Sequence, residues 1–283
     1  MRLASYCTAR GASYGVVEGD EHIVDLGSRI GAKYRDLRAL VAGEGLEDAR
    51  RAVHGASFDY RVDEVVFLPV VPNPGKIICV GLNYEEHRVE GNRPVTADPA
   101  LFIRLPESQT GHRRQMLCPS ESAQLDYEGE VALVIGRAGR RIPQAQAYEH
   151  VAGYACYNDG SVRDWQLATS QWTPGKNFAG TGSFGPWLTL TDELPAESTL
   201  TLVTRLNGEE MQRATTDMMI FSIPRLISFI SRFTTLEPGD VIVTGTPGGV
   251  GFRRSPPVFM KRGDRVEVEV SGVGTLMNEV SIG

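Results

Sequence analysis

Three acids spaced two apart, Asp126, Glu128 and Glu130, sit in the run Leu125-Asp-Tyr-Glu-Gly-Glu-Val-Ala-Leu-Val-Ile135. The run reads as a strand, with apolar and aromatic residues on one parity and carboxylates on the other before it turns fully apolar. Residues two apart in a strand share a face, so the three acids stack along one side of a segment hydrophobic enough to be partly buried. Crowded, desolvated carboxylates repel and need a counter-charge. The simplest is a hard divalent cation, Mg²⁺, Mn²⁺ or Ca²⁺, all of which take oxygen ligands. An isolated E-x-E pair is ordinarily a solvated strand face. Here a further acid, Asp159, closes the run Val151-Ala-Gly-Tyr-Ala-Cys-Tyr-Asn-Asp159 at a strand end, where its side chain can swing toward a neighbouring strand. Glu128, Glu130 and Asp159, with water and substrate oxygens, would complete an octahedral shell.

Other residues suit a substrate beside such an ion. Ser161-Val-Arg-Asp164 has the S-x-x-D pattern that starts a helix. On that helix Arg163 and Gln166 share a face, and a guanidinium fork suits a carboxylate. In Gly81-Leu-Asn-Tyr-Glu-Glu-His-Arg-Val-Glu-Gly91, a helix would place His87 and Glu90 three apart on one face. A carboxylate beside a histidine orients the ring and raises its basicity, as a general base requires, although an exposed polar helix can carry the same pair incidentally. The glycines at both ends fit a segment that orders over a site. Lys176 lies in a loop between Gly175 and the aromatic residues Trp172 and Phe178. Gly180-Thr-Gly-Ser-Phe-Gly185 spells G-x-G-x-x-G but has neither the preceding strand nor the following helix of a dinucleotide site. Thr244-Gly-Thr-Pro-Gly-Gly-Val-Gly251 lacks the Lys-Ser/Thr end of a phosphate loop. Its backbone N–H groups could hold a carboxylate or oxyanion, or it is a tight structural turn.

The 283-residue chain is 41% hydrophobic and 23% charged, as expected of a globular protein. A net charge of −6 and the lack of a Lys/Arg cluster argue against nucleic acid as a partner. An acidic protein that takes an anionic substrate must do so through a few local cations and a metal. The four cysteines, Cys7, Cys79, Cys118 and Cys156, have no zinc or redox spacing. No run approaches a membrane span and the N-terminus has no apolar signal stretch, so a cytoplasmic location is expected.

These residues must be positioned by a β-rich α+β fold. A hairpin at 16–24 and short helices at 34–42 and 47–56 suggest a small N-terminal unit over 1–71. It ends at the extended Leu68-Pro-Val-Val-Pro-Asn-Pro-Gly75, and a larger second domain is expected over 72–283. Beyond it, strands are expected at 76–82, 100–104, 125–136, 151–158, 186–190, 200–207, 240–244, 264–270 and 274–281. Helices are expected at 84–90, 162–170 and 223–233. Such a balance implies a mostly antiparallel, rolled or barrel-like core.

Taken in order, these segments resemble the fumarylacetoacetate hydrolase (FAH) family, as an acylpyruvase-like member. The matching pieces are G-L-N-Y-x-x-H-x-x-E at 81–90, L-D-Y-E-G-E-V-A-L-V-I-G at 125–136, V-A-G-Y…N-D at 151–159 and R-D-W-Q at 163–166. They continue with G-K-N-F at 175–178, L-N-G-E at 206–209 and P-G-D-V-I-V-T-G-T-P-G-G-V-G at 238–251. The resemblance implies an FAH-type mixed β-roll catalytic domain after a small N-terminal α/β domain, usually in a homodimer. It implies Mg²⁺ or Mn²⁺, with Ca²⁺ in some members, on Glu128, Glu130 and Asp159, leaving Asp126 a supporting acid. Lys176 matches the catalytic lysine, Gln166 a substrate-side glutamine, Thr246 a substrate-contacting threonine, and His87 with Glu90 a water-activating dyad. Arg163, Arg104 and Tyr84 are further candidates for contact with substrate. The chain departs from the pattern at Arg104, where many members carry Lys, and at Ala179-Gly-Thr-Gly182, where many carry Asp.

The activity implied is metal-assisted hydrolysis of a C–C bond in a 1,3-dicarbonyl acid of the acylpyruvate type. His87 would take a proton from water, Lys176 and Gln166 would stabilise the oxyanion, and Arg163 or Arg104 would grip the substrate carboxylate. The same site would also serve decarboxylation of a β-keto acid such as oxaloacetate, or keto–enol isomerisation. A non-catalytic binder of keto acids is the remaining reading. The loops that set substrate shape, around 94–99, 107–115 and 253–257, have no position that the sequence fixes.

Overall fold

The structure, a computed structural model, describes residues 1–92 and 94–283. A twelve-stranded mixed sheet forms its spine. Its main path runs Tyr60–Arg61, His22–Asp25, Gly11–Glu18, Arg2–Thr8, Gly182–Leu190, Val151–Asn158, Gly129–Ile135, Val241–Val243, Ile77–Gly81 and Ala100–Arg104. Its path ends at two different strands, so no barrel closes among the described residues. A second sheet orders Glu209–Thr215, Thr201–Leu206, Arg265–Val270, Gly274–Ile282 and Gln115–Cys118.

The apolar run in Gly129–Ile135 has a reason in this layering. Val131, Leu133 and Ile135 face a core shared with the second sheet and with the helix Ile223–Phe233. Ala132 and Val134 face the opposite core, built with the N-terminal helices Leu26–Ile30, Leu37–Ala42 and Leu46–Val53. A strand covered on both faces reads as a continuous hydrophobic stretch. Ile223, Leu226, Ile227 and Ile230 recur at helical spacing and form the buried stripe of their helix.

The N-terminal residues extend the large sheet. Arg2 pairs with Thr189 and Leu3 with Leu188, and the Leu190 N–H donates to the Met1 carbonyl at 3.0 Å. The expected hairpin forms between Gly11–Glu18 and His22–Asp25, and Arg2–Thr8 joins it as a strand that the apolar pattern did not announce. Asp25 and Asp36 cap their helices by accepting from the Ser28 and Ala39 N–H groups.

Two expected elements differ. The strand expected over 125–136 breaks at Tyr127 and Glu128. Leu125–Asp126 leaves the sheet to pair with Ser161–Val162, and Gly129–Ile135 resumes against Val151–Asn158. The helix expected over 162–170 spans only Arg163–Gln166, and the S-x-x-D pattern does not cap it. Ser161 is held in the two-residue ribbon with its hydroxyl donating to the Asp159 carbonyl, and Val162 occupies the cap position. Among the described residues no helix is long and apolar enough to cross a membrane.

Candidate active site and metal centre

The site lies where the strands of the large sheet run out. Gly129 pairs with Asn158 and Glu130 with Tyr157, so Glu128 and Asp159 sit just past the paired ends, linked by a 2.8 Å Asp159 N–H to Glu128 carbonyl bond. Glu130 is on the parity of Ala132 and Val134, at the edge of an apolar face. Glu128, Glu130 and Asp159 are all buried and can offer oxygen atoms within 4.8 Å of one another.

Their surroundings are unequal. Asp159 lies between Lys176 Nζ, 2.6 Å from Oδ2, and Arg104 Nη1, 2.5 Å from Oδ1. Glu128 lies between Lys176 Nζ and Arg163 Nη2, each at 2.6 Å. Burial raises the Glu128 carboxyl, but Arg163 and Lys176 outweigh it and hold the group well below the usual range. Glu130 makes no ion pair among the described residues, although the Lys176 charge acts on it from farther off. It accepts a 2.5 Å bond from the Gly245 N–H, while burial and the neighbouring Asp159 and Glu128 charges push its carboxyl well above the ordinary value. With Asp126, four buried carboxylates face three buried cations, Arg104, Arg163 and Lys176. A divalent cation fits this all-oxygen set, and it would meet the charge that Glu130 lacks.

Asp126, expected to share a strand face with these acids, supports the site from behind. It accepts from Gly251 and Phe252 N–H groups at 2.8 and 3.0 Å, and from Arg163 Nε at 2.8 Å. Arg163 is therefore fixed on one side by Asp126 while its Nη1 donates to Gln166 Oε1 at 2.8 Å, so the expected pairing of these two on one face is realised. The Gly-rich segment 244–251 holds carboxylates, but they are the chain's own. The Gly245 N–H serves Glu130, the Gly249 N–H serves Glu90 at 3.0 Å, and the Gly251 N–H serves Asp126.

The helix Glu85–Glu90 forms, and His87 Nδ1 lies 2.7 Å from Glu90 Oε1. A carboxylate only accepts, so Nδ1 donates to it, and in the neutral ring Nε2 is the nitrogen left with a lone pair. His87 lines the same cavity as Glu128, Glu130, Asp159, Lys176, Arg163, Gln166 and Thr246. Thr246 is oriented by donating to the Gly129 carbonyl at 2.9 Å and accepting from Gln212 Nε2 at 2.8 Å. Gly175 permits the close approach that sets Lys176 beside Gln166, because a Cβ there would lie 2.2 Å from the Gln166 nitrogen.

Two candidates are placed elsewhere. Arg104, expected at the substrate, is not on the cavity wall. Its side chain is fully buried behind Asp159, and the guanidinium is spent on Asp159, the Gly160 carbonyl, Thr181 and Ser108. A Cβ at Gly182 would come within 2.7 Å of Arg104 Nη2, so the glycine in the 179–182 departure makes room for the arginine at 104. Tyr84 is likewise buried off the wall, its hydroxyl without a hydrogen-bond partner among the described residues. The structure also brings in wall residues that sequence reasoning did not single out. Phe102 lies under Lys176 Nζ at 4.8 Å and packs edge-on against Trp172, while Phe252 and Arg253 complete the wall. Gly81 makes room for Trp172, since a Cβ there would meet the indole at 2.4 Å.

Residues 76–281 match the family described as fumarylacetoacetate (FAA) hydrolase C-terminal. Oxaloacetate tautomerase FAHD2A, mitochondrial, of Bos taurus is 42% identical over 219 residues, which cover 77% of this chain and 70% of the relative. Fumarylacetoacetate hydrolase from psychrophilic Exiguobacterium antarcticum superposes with a TM-score of 0.83 at 32% identity, over 100% of each chain. Maleylpyruvate hydrolase from Sphingobium sp. SYK-6, solved with manganese(II) and pyruvate, gives a TM-score of 0.83 at 30% identity, also over 100% of each chain. These relatives are enzymes, and the matched region contains every residue of the acidic triad, the dyad and the buried cations. The chain belongs to the fumarylacetoacetate hydrolase family.

Proposed function

We propose that the site catalyses keto–enol interconversion of a small 2-oxo acid, with oxaloacetate as the first substrate to test. The observation that carries this reading is a histidine base, already oriented by a carboxylate, on the wall of a cavity of only about 50 Å³. That is far below the roughly 300–1,000 Å³ of pockets that hold drug-sized ligands, so a compact acid is favoured over an extended one. The Bos taurus relative, named as an oxaloacetate tautomerase, supports the same direction.

Glu128, Glu130 and Asp159 would hold a divalent cation, which supplies positive charge against the oxygen that becomes negative during the transfer. His87 Nε2 moves the proton: it takes one from the enol hydroxyl or from C3, and returns it at the other position. Glu90 stabilises the imidazolium formed in between. Arg163 and Gln166 hold the carboxylate next to the 2-oxo group. Lys176 keeps Glu128 and Asp159 in register from below and lends charge to the same oxygen.

A second reading, hydrolysis of an acylpyruvate, rests on the apolar wall of Phe102, Leu167 and Trp172, which would accept an acyl group while His87 activates water. Product analysis with Mg²⁺ and with Mn²⁺ separates the possibilities. Tautomerisation removes the enol absorbance of oxaloacetate without fragments and exchanges deuterium at C3. Decarboxylation releases CO₂, and hydrolysis of an acylpyruvate yields two acids. The tautomerase reading fails if enolic oxaloacetate decays at the buffer rate with both metals.

A further inference from the structure

Among the described residues three fixed cations line the cavity, and they differ in their commitments. Lys176 is bound to Glu128 and Asp159, and Arg163 to Asp126 and Glu128. Arg253 has no acidic partner among the described residues, and it is exposed where Arg163 is buried. Its position is nonetheless defined. Its guanidinium carbon lies 4.5 Å from the centre of the Phe252 ring, and its Nη2 donates at 3.3 Å to the Gly91 carbonyl, at the end of the helix that carries His87. The same Phe252 ring carries Arg163 at 4.1 Å. One aromatic ring thus organises two guanidiniums, one at the base of the cavity and one at its rim. Phe252 and Arg253 follow directly on Gly251, whose N–H, with that of Phe252, is anchored on Asp126, so the rim arginine is tied to the metal-side scaffold.

We infer that Arg253 is a specificity-determining residue that binds a second carboxylate, so that the site prefers dicarboxylic 2-oxo acids to monocarboxylic ones. This rests on the proposed function for the position of the first carboxylate, at Arg163 and Gln166. A guanidinium with one N–H committed to a carbonyl keeps further donors in the fork geometry that a carboxylate matches. The contact with Gly91 means that a carboxylate at Arg253 would also bear on the segment holding His87, which couples recognition at the rim to the base.

The test measures binding and turnover separately, on the Mg²⁺-loaded protein. Malate and 2-hydroxybutyrate, unreactive four-carbon acids that differ by the far carboxylate, are titrated calorimetrically into wild type, Arg253→Ala and Arg253→Lys. Malate is expected to bind wild type about tenfold or more tightly than 2-hydroxybutyrate, the size of one charge-assisted contact. The preference is expected to vanish in Arg253→Ala and to return in part in Arg253→Lys, with circular dichroism unchanged. No preference in wild type, no binding of malate, or a preference that survives Arg253→Ala overturns the inference. In parallel, kcat/KM is measured for oxaloacetate and for 2,4-dioxopentanoate. A carboxylate-dependent binding preference without turnover of oxaloacetate leaves the role of Arg253 standing and removes the tautomerase reading instead.

Discussion

Two networks of opposite charges in this chain share their geometry and differ in everything else. Near the N-terminus, the Met1 ammonium, Arg2 and Arg50 meet Asp192 and Glu193 at 2.6–2.9 Å, with acid side chains 35–39% exposed. Around the cavity, Arg104, Arg163 and Lys176 meet Asp126, Glu128 and Asp159 at 2.5–2.8 Å, with no side chain more than 5% exposed. Water and salt screen the first network, whose pairs contribute about 0–1 kcal/mol each. In the second, the desolvation of both partners offsets much of what the attraction returns, so the cluster is poor evidence for stability. Its use is to hold Glu128 and Asp159 fixed in one place beside Glu130, which is what binding a cation requires.

The comparison breaks most sharply at Lys176. Lys176→Met leaves Glu128 and Asp159 without their shared ammonium, and a loss of about 3–5 kcal/mol in the metal-free protein is expected by denaturant unfolding. A loss under about 1 kcal/mol would put the buried network on a par with the exposed one. His87 stands beside the network and outside its charge pairing. His87→Asn should therefore slow turnover by roughly 10²–10⁴-fold while calorimetric Mg²⁺ affinity stays within a few-fold of wild type. An equal fall in both would make the histidine a part of the cation site. Among the described residues Glu130 is the site carboxylate that makes no ion pair, so Glu130→Gln should act in opposite directions. Metal-free protein should gain roughly 1–2 kcal/mol from relieved repulsion, and the rise in Tm on adding Mg²⁺ should disappear. Arg50→Ala in the exposed network sets the small end, with a change of about 0–1 kcal/mol that shrinks further in molar salt.

What could be read from the sequence follows whether a residue's role is local. Asp159 was legible because an apolar strand run ends on it, and the His87–Glu90 pair because helical spacing alone brings the two together. The site's outer supports depend on segments far apart in the chain. Nothing near Arg104 announces that its partner is Asp159, and the break at Tyr127 and Glu128 follows from amides at Gly251 and Phe252 drawing Asp126 out of the sheet. The strand Glu209–Thr215 was missed because Glu-Glu-Met-Gln-Arg-Ala-Thr has a weak apolar alternation. It is held by pairing with Thr201–Leu206, and its Gln212 is turned inward to receive the Gly129 N–H. Arg253 fell within a loop whose course is set by contacts to Gly91 and Phe252.

The pairing of Arg2 and Leu3 with Thr189 and Leu188 bears on how this chain can be cut. A fragment trimmed to the family-matched region would uncover the backbone donors and acceptors of 188–190, on a strand whose other end touches Arg104 through Thr181 and Gly182. An open edge of that kind recruits strands from other molecules. Shortening the protein from its front would then surface first as self-association, with the cavity's own residues all still present.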